Sequence, residues 1–127
     1  MKLQVFVCED VEGVQVFLGD LFESIGGLQV VGTATTESAA KFWLAANQAD
    51  WDLAIVDLVL EEGSGFGVIA AARQTHPQGR VAVFSSFLTP AVLAHCVAMG
   101  ADAVFAKSDA TGFVAWLAAQ SAPRAAR

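Results

Sequence analysis

Residues 53–65 have the sequence Leu53-Ala54-Ile55-Val56-Asp57-Leu58-Val59-Leu60-Glu61-Glu62-Gly63-Ser64-Gly65. The first four residues are apolar without alternation, which predicts a strand buried on both faces of a parallel sheet. Asp57 ends this strand, and Ser64 followed by Gly65 is the better start signal for the next helix. Asp57 is therefore either a solvated strand end or a functional carboxylate, and these residues alone leave both open.

Strand and helix patterns alternate along the whole chain. Strands are predicted at residues 3–8, 28–32, 53–56, 81–84 and 102–106. Helices are predicted at residues 11–25, 35/36–48, 65–75, 89–100 and 109–120. Five strands joined by helical crossovers indicate an α/β fold with a doubly wound, five-stranded parallel sheet. We expect one domain over residues 1–121 and a short C-terminal tail over residues 122–127.

Composition excludes several classes of function. The chain has 127 residues and a net charge of −6, with 7 Lys and Arg against 13 Asp and Glu. It has no basic patch, so direct nucleic-acid binding is not expected. Cys8 and Cys96 lie in apolar runs without metal-type spacing, as in a reducing cytoplasm. The uncharged run between Arg80 and Asp102 is interrupted by polar residues and Pro90, so no membrane span is predicted and we expect a cytoplasmic protein.

Polar side chains follow four of the predicted strands. Ligands of open parallel sheets bind outside the carboxyl ends of the strands, where the winding reverses. The residues predicted at this edge are Glu9, Asp10, Asp57, Ser85 and Lys107. With the strand order 2-1-3-4-5, Asp10 and Asp57 are neighbours. Clustered carboxylates repel one another unless a cation compensates, and an all-oxygen ligand set suits Mg²⁺ or Mn²⁺.

In this arrangement the chain resembles the receiver domain of bacterial two-component response regulators, over about residues 3–120. The matching features, in chain order, are Glu9-Asp10, Asp57 after an apolar strand, the Gly63-Ser64-Gly65 turn, Ser85 after an apolar strand, and the segment 100–107 ending in Lys107. The resemblance implies the flavodoxin-like fold with strand order 2-1-3-4-5. It also implies a stand-alone response regulator of the single-domain type.

The resemblance assigns a role to each residue at the predicted edge. Asp57 would accept a phosphoryl group from a histidine kinase or a phosphotransfer protein, as a carboxylate nucleophile. Asp10 would ligate the metal directly and Glu9 through water, with Asp57 and the Val59 backbone carbonyl as further ligands. The phosphoryl oxygens would contact two side chains, Ser85 and Lys107. Such a protein promotes its own phosphorylation and dephosphorylation and is not otherwise an enzyme.

Two positions depart from the family pattern. Ser108 follows the lysine where the family usually has a proline in a cis bond, which leaves the geometry of the Lys107–Ser108 bond open. Val104 stands where the family usually has an aromatic switch residue, and Phe105 is displaced by one position. Activation by movement of an aromatic ring is therefore in question, whereas neither change touches the phosphoryl or metal residues.

Rival functions fit the residues less well. A haloacid-type aspartyl hydrolase needs a second Asp two residues after the nucleophile, where this chain has Val59. A flavin carrier needs a hydroxyl- and glycine-rich loop after the first strand, where this chain has acids at Glu9, Asp10 and Glu12. The alternative that stays open is a degenerate receiver, which binds proteins independently of phosphorylation.

The route by which a signal leaves the domain is predicted from its size and its apolar helices. About 120 residues make up the receiver, so we expect no output domain and a signal that passes by protein contact. The fourth helix is apolar apart from His95, and the last has no charged residue between Asp109 and Arg124. A helix that is apolar all round is normally covered. We expect a downstream protein or a second copy to dock on helix 4, strand 5 and helix 5.

Overall fold

Five parallel strands form a single sheet in the order β2-β1-β3-β4-β5. The computed structural model describes residues 2–122. The strands are β1 (Leu3–Cys8), β2 (Leu28–Ala34), β3 (Leu53–Val56), β4 (Arg80–Ser85) and β5 (Ala103–Ala106). The helices are α1 (Glu12–Ile25), α2 (Glu37–Ala46), α3 (Gly65–Thr75), α4 (Pro90–Met99) and α5 (Ala110–Ser121). The predicted fold class and strand order are confirmed.

The ends of some elements differ from the prediction. β2 continues to Ala34 because it stays paired with β1 beyond a register shift between Val5 and Phe6. α2 ends at Ala46, two residues early. Asp102 lies before β5 rather than in it, because its carboxylate accepts a hydrogen bond from Val81 N. Of the predicted tail, residues 123–127 lie outside the described residues.

Both faces of the sheet are buried, as the apolar run of β3 predicts. Ala54 and Val56 point into a core shared with α2, α3 and α4. Leu53 and Ile55 point into a second core, which includes buried side chains of α1 and α5: Leu18, Phe22, Phe113 and Leu117. All four residues of β3 are almost completely inaccessible to solvent. Helices on both faces therefore leave the ends of the strands as the place for a site.

Capping residues fix where the helices begin. Thr36 accepts a hydrogen bond from Ala39 N at α2, and Thr89 accepts one from Val92 N at α4, where Pro90 occupies the first turn. At α3 the cap is Ser64, whose hydroxyl accepts a hydrogen bond from Phe66 N. Each cap stands just after a loop at the carboxyl edge of the sheet. Within residues 2–122, no helix combines the length and apolar character needed to cross a membrane.

Candidate functional site

Backbone hydrogen bonds extend the sheet by one residue at the strand ends where the predicted site lies. Asp57 N donates to Cys8 O at 3.0 Å, and Glu9 N donates to Ala34 O at 2.9 Å. On the other side, Lys107 N donates to Ser85 O at 2.9 Å. These bonds hold the first residue after each strand in the line of the sheet. Side chains that are distant in sequence are thereby fixed along one edge.

Three carboxylates come together at this edge. Glu9, Asp10 and Asp57 each present an oxygen atom, and these atoms all lie within 4.8 Å of one another. Glu9 and Asp57 are buried and Asp10 is half-buried. A group of carboxylate oxygens with one side open to solvent suits a hard divalent cation that retains some of its waters. The residues present therefore fit a site for Mg²⁺ or Mn²⁺.

The Lys107 ammonium group forms ion pairs with two of the three acids. Its Nζ lies 3.0 Å from Glu9 Oε1 and 3.1 Å from Asp57 Oδ2. Burial works against the charge on Lys107, but hydrogen bonds to Glu9 and Asp57 outweigh it and raise the pKa of the lysine. Burial raises the pKa of Glu9 as well, despite its hydrogen bond to Lys107. Lys107 therefore carries its positive charge at neutral pH, facing an excess of acids.

Backbone amides orient the two buried carboxylates. Glu9 Oε2 accepts a hydrogen bond from Val11 N at 3.1 Å, and Asp57 Oδ1 accepts a longer one from Val59 N at 3.4 Å. Each acid thus directs one oxygen to Lys107 and the other to a main-chain N–H group. This pair of contacts fixes the orientation of the Asp57 carboxylate.

Ser85 lies at the end of the neighbouring strand and is fully buried. Its hydroxyl oxygen accepts a hydrogen bond from Phe87 N at 3.3 Å. Within residues 2–122 this hydroxyl forms no hydrogen bond to Asp57 or Lys107, although Ser85 O accepts from Lys107 N. The structure therefore brings Glu9, Asp57 and Lys107 into direct contact and places Ser85 on the adjoining strand end.

Val59 lies two residues after Asp57 in a short, closed loop. It pairs with Ser64 in an isolated antiparallel bridge, and Gly65 N donates to Leu58 O at 3.0 Å. Val59 is 57% exposed, and the bridge to Ser64 holds its main chain in place. This loop carries the backbone carbonyl that was predicted as a metal ligand.

The sequence did not indicate two residues that support this edge. The Gln15 side-chain amide donates to the backbone oxygen of Glu9, one turn into α1. Glu37 Oε1 accepts a hydrogen bond from Ser64 N at 2.8 Å, which joins α2 to the loop after Asp57. An acid in the first turn of a helix is expected from the helix dipole alone, so Glu37 gave no separate signal. The one sequence feature that could have indicated the role of Glu37 is the pair of glycines at positions 63 and 67, which leave room for the Glu37 carboxylate.

The family model of the response regulator receiver domain matches residues 5–114. The chain belongs to this family. Receiver domains are signalling modules that interact with histidine kinases and phosphotransfer proteins. The match covers all of the sheet except the first two residues of β1, and it includes every residue of the predicted site, so the resemblance seen in the sequence is confirmed.

Solved structures of receiver domains have the same fold. The signal receiver domain of the putative response regulator NarL from Mycobacterium tuberculosis is 25% identical, with a TM-score of 0.81 over 94% of this chain and 96% of that chain. A response regulator from Burkholderia pseudomallei is 27% identical, with a TM-score of 0.70 over 84% and 60%. CheY in the CheX-CheY complex from Borrelia burgdorferi is 17% identical, with a TM-score of 0.76 over 82% and 77%. No curated protein has a matching sequence.

The two departures of this receiver from the family pattern have visible structural results. Phe105 packs on the α5 side of the sheet, with its ring 5.6 Å from that of Phe113 and 6.0 Å from that of Trp116. Val104 packs against the opposite core. Residues 2–122 contain no cis peptide bond, so the Lys107–Ser108 bond is trans. The aromatic residue of β5 is thus part of the α5 core, and the position facing the other way is aliphatic.

Proposed function

We propose that this receiver accepts a phosphoryl group on Asp57 from the phosphohistidine of a histidine kinase or a phosphotransfer protein. A carboxylate oxygen of Asp57 attacks phosphorus, a P–O bond forms, and the P–N bond to histidine breaks. The electron pair of that bond leaves with the histidine nitrogen, and the product is an acyl phosphate. The observation that carries the proposal is the ion pair between Asp57 and Lys107 beside two further carboxylates.

Charge is the obstacle to this reaction, because an anionic phosphoryl group has to approach a carboxylate. Phosphoryl transfer is catalysed largely by positioning and by neutralising charge. The Lys107 ammonium group already lies against Asp57, and it would pair with a phosphoryl oxygen after transfer. We assign a second phosphoryl oxygen to the Ser85 hydroxyl, which the neighbouring strand holds at the same edge.

A divalent cation would supply the remaining positive charge. We assign Mg²⁺ or Mn²⁺ to Asp10 and Asp57, to Glu9 through water, and to the Val59 backbone carbonyl. When bound, the ion screens the acceptor carboxylate from the phosphoryl group. The Burkholderia response regulator contains a phosphorylated aspartic acid together with a calcium ion, which supports this assignment by analogy. The Borrelia complex contains BeF₃ and Mg²⁺.

We assign the output of this receiver to a protein partner that docks on α4, β5 and α5. Only Cys96 of α4 is buried, and the exposed side of the helix carries Leu93 and Val97. Phe87, in the loop before α4, is 62% exposed. Exposed apolar side chains that form a patch mark protein interaction sites, and these three residues lie on or next to α4. The domain would act in the cytoplasm, where its kinase and its partner meet it.

The test is phosphorylation by acetyl phosphate, followed by intact mass spectrometry. We expect one phosphoryl group per chain when Mg²⁺ is present and none when the metal is chelated. Asp57→Asn should abolish incorporation, whereas Asp20→Asn, on the exposed face of α1, should leave it unchanged. A chain that stays unmodified under these conditions but retains a protein partner would be a phosphorylation-independent binding module instead.

A further inference from the structure

The loop that joins Asp57 to α3 is hydrogen-bonded to the first residue of α2. Glu37, the first residue of α2, directs Oε1 to Ser64 N at 2.8 Å. The Glu37 backbone N–H donates to Glu62 O at 3.0 Å. Two separate bonds from one residue therefore hold the far side of the loop, and α2 belongs to a different crossover of the sheet from the loop itself.

The surrounding residues are shaped to admit the Glu37 carboxylate. Gly63 has a φ of +78°, and a Cβ on it would lie 2.6 Å from Glu37 Oε1. A Cβ on Gly67, in α3, would lie 2.5 Å from the carboxylate carbon of Glu37. Any larger residue at either position would push this acid away from the loop. The loop and the acid thus fit one another closely.

Glu37 is also held on its other side. Its Oε2 lies 2.6 Å from Lys41 Nζ, one turn further along α2, and the Glu37 side chain is only 24% exposed. The hydrogen bond from Lys41, followed by that from Ser64 N, lowers the pKa of Glu37 below its usual value. The carboxylate is therefore ionised and is a strong acceptor for the loop amide.

The end of the loop that is hydrogen-bonded to Glu37 lies directly opposite Val59. Ser64, which donates to Glu37, is the bridge partner of Val59, and Gly65 N closes the same loop on Leu58 O. A shift of Ser64 is therefore passed across the bridge to the main chain of Val59. Of the ligands assigned to the proposed site, the Val59 carbonyl is the one that this loop supplies.

We propose that Glu37 is a positioning residue for the metal site, which holds the Val59 carbonyl in place through Ser64. This inference rests on the proposed function, because it presupposes the metal assigned there. Glu37 itself does not touch the metal or the phosphoryl group. Removing a residue that hydrogen-bonds to a metal ligand without touching the metal typically changes metal affinity by about 10- to 100-fold. Because Glu37 would orient only one ligand, the Val59 carbonyl, we expect an effect at the lower end of this range, about tenfold.

The experiment measures Mn²⁺ binding by electron paramagnetic resonance, without any phosphodonor, in the full chain and four variants. We expect Glu37→Ala and Glu37→Asp to bind Mn²⁺ about tenfold more weakly, because neither side chain reaches Ser64 N. Glu37→Gln keeps an oxygen that accepts this hydrogen bond and should retain most of the affinity. Lys41→Ala removes only the ion pair and should bind like the parent protein. Thermal unfolding checks that each variant is folded.

Each outcome bears on the inference separately from the proposed function. Parent affinity in both Glu37→Ala and Glu37→Asp would overturn the positioning role while leaving the metal site intact. An equal loss in Glu37→Gln or Lys41→Ala would also overturn it, since charge and not the hydrogen bond would be responsible. If Glu37→Ala does not fold, Glu37→Asp and Glu37→Gln still decide the question. A parent protein that binds no Mn²⁺ would count against the proposed function itself.

Discussion

The ammonium nitrogen of Lys107 lies 3.1 Å from Asp57 Oδ2, so the proposed phosphoacceptor is in contact with a cation before any phosphoryl group arrives. The same nitrogen lies 3.0 Å from Glu9 Oε1. With Asp10 nearby, one ammonium group faces three carboxylates, which leaves an excess of negative charge. The arrangement stores electrostatic repulsion that a divalent cation would relieve. The carboxylates that would bind the cation are therefore expected to lower the stability of the metal-free protein.

The first prediction concerns pH. Because burial raises the pKa of Glu9, the folded state binds that proton more tightly than the unfolded state does. The Glu9 contribution to the free energy of unfolding is therefore greatest below its ordinary pKa of 4.5 and falls as the pH rises through the folded-state pKa. The Glu9→Gln variant has no carboxyl group to ionise at this position, so its free energy of unfolding does not fall in this way as the pH rises. In urea unfolding with chelator, we expect the variant to become more stable than the parent protein as the pH rises towards neutrality.

Titration of Lys107 does not contribute to the expected difference in stability between Glu9→Gln and the parent protein. Hydrogen bonds to Glu9 and Asp57 outweigh burial and raise its pKa, so its contribution is complete below its ordinary value of 10.5 and disappears only as the pH rises through the folded-state pKa. Glu23→Gln, an exposed change on α1, is the matched control and should show no such trend. Excess Mg²⁺ should stabilise the parent protein more than Glu9→Gln, by linkage. A stability difference that does not vary with pH would contradict the prediction.

The second prediction concerns Gly65, the first residue of α3. A Cβ at this position would lie 2.7 Å from Leu58 Cα and closer still to the carbonyl oxygen of Asp57. Gly65→Ala should therefore displace the Asp57 backbone, with a destabilisation of about 1–3 kcal/mol and slower phosphorylation. Gly19→Ala is the control, since a Cβ there meets nothing within 4 Å. It should be neutral or stabilising by up to about 1 kcal/mol in chemical denaturation.

The third prediction concerns the two thiols. Burial, together with the charges of Glu9 and Asp57, raises the pKa of Cys8 to about 12. Burial also raises the pKa of Cys96. Only the thiolate is nucleophilic, and at pH 8 about one Cys8 in ten thousand is in that form. We expect Ellman's reagent to modify neither cysteine in the folded protein and both in guanidinium chloride. Rapid modification of either cysteine without denaturant would contradict the prediction.

The sequence was sufficient for the fold and for the contacts that follow from it. An unbroken apolar run such as residues 53–56 has one common structural solution, a strand covered on both faces. Once the sheet is parallel, the residue after each strand must lie at the same edge, which is why Asp57, Glu9 and Lys107 were placed together. The length of β2 was not predictable, because Thr33 and Ala34 gain their strand geometry by pairing with β1. This pairing is not encoded in their local pattern.

The partner of Glu37 could not be predicted for a related reason. Its hydrogen bond to Ser64 joins residues 27 positions apart, on two crossovers that meet only after the sheet has formed. The ion pairs of Lys107 with Glu9 and Asp57 were likewise not expected, since the resemblance assigned this lysine to a phosphoryl oxygen. Charged side chains pair with whatever opposite charge the completed fold brings near. Such contacts follow from tertiary structure and not from periodicity.

The fourth prediction concerns the exposed face of α4. Leu93 and Val97 are 43% and 60% exposed, so replacing both with arginine should change stability by less than about 0.5 kcal/mol each. We expect the Leu93→Arg, Val97→Arg double variant to be phosphorylated like the parent protein but to lose its association with a partner or a second copy. Sedimentation of phosphorylated and unphosphorylated protein, together with a pull-down, measures this. Unchanged association in the double variant would exclude this face.

The fifth prediction concerns the lifetime of the phosphorylated state. The resemblance to receivers implies that the water that hydrolyses the acyl phosphate would approach past two side chains, which we expect to be those of Val59 and Phe87. Both side chains are apolar, so neither can donate a hydrogen bond that would orient this water. A loss of about 1.4 kcal/mol of positioning energy slows hydrolysis about tenfold. The Val59→Asn, Phe87→Glu double variant should therefore lose its phosphoryl group about tenfold faster, as followed by mass spectrometry after the phosphodonor is removed. If the double variant and the parent protein dephosphorylate at equal rates, these two side chains do not control the lifetime.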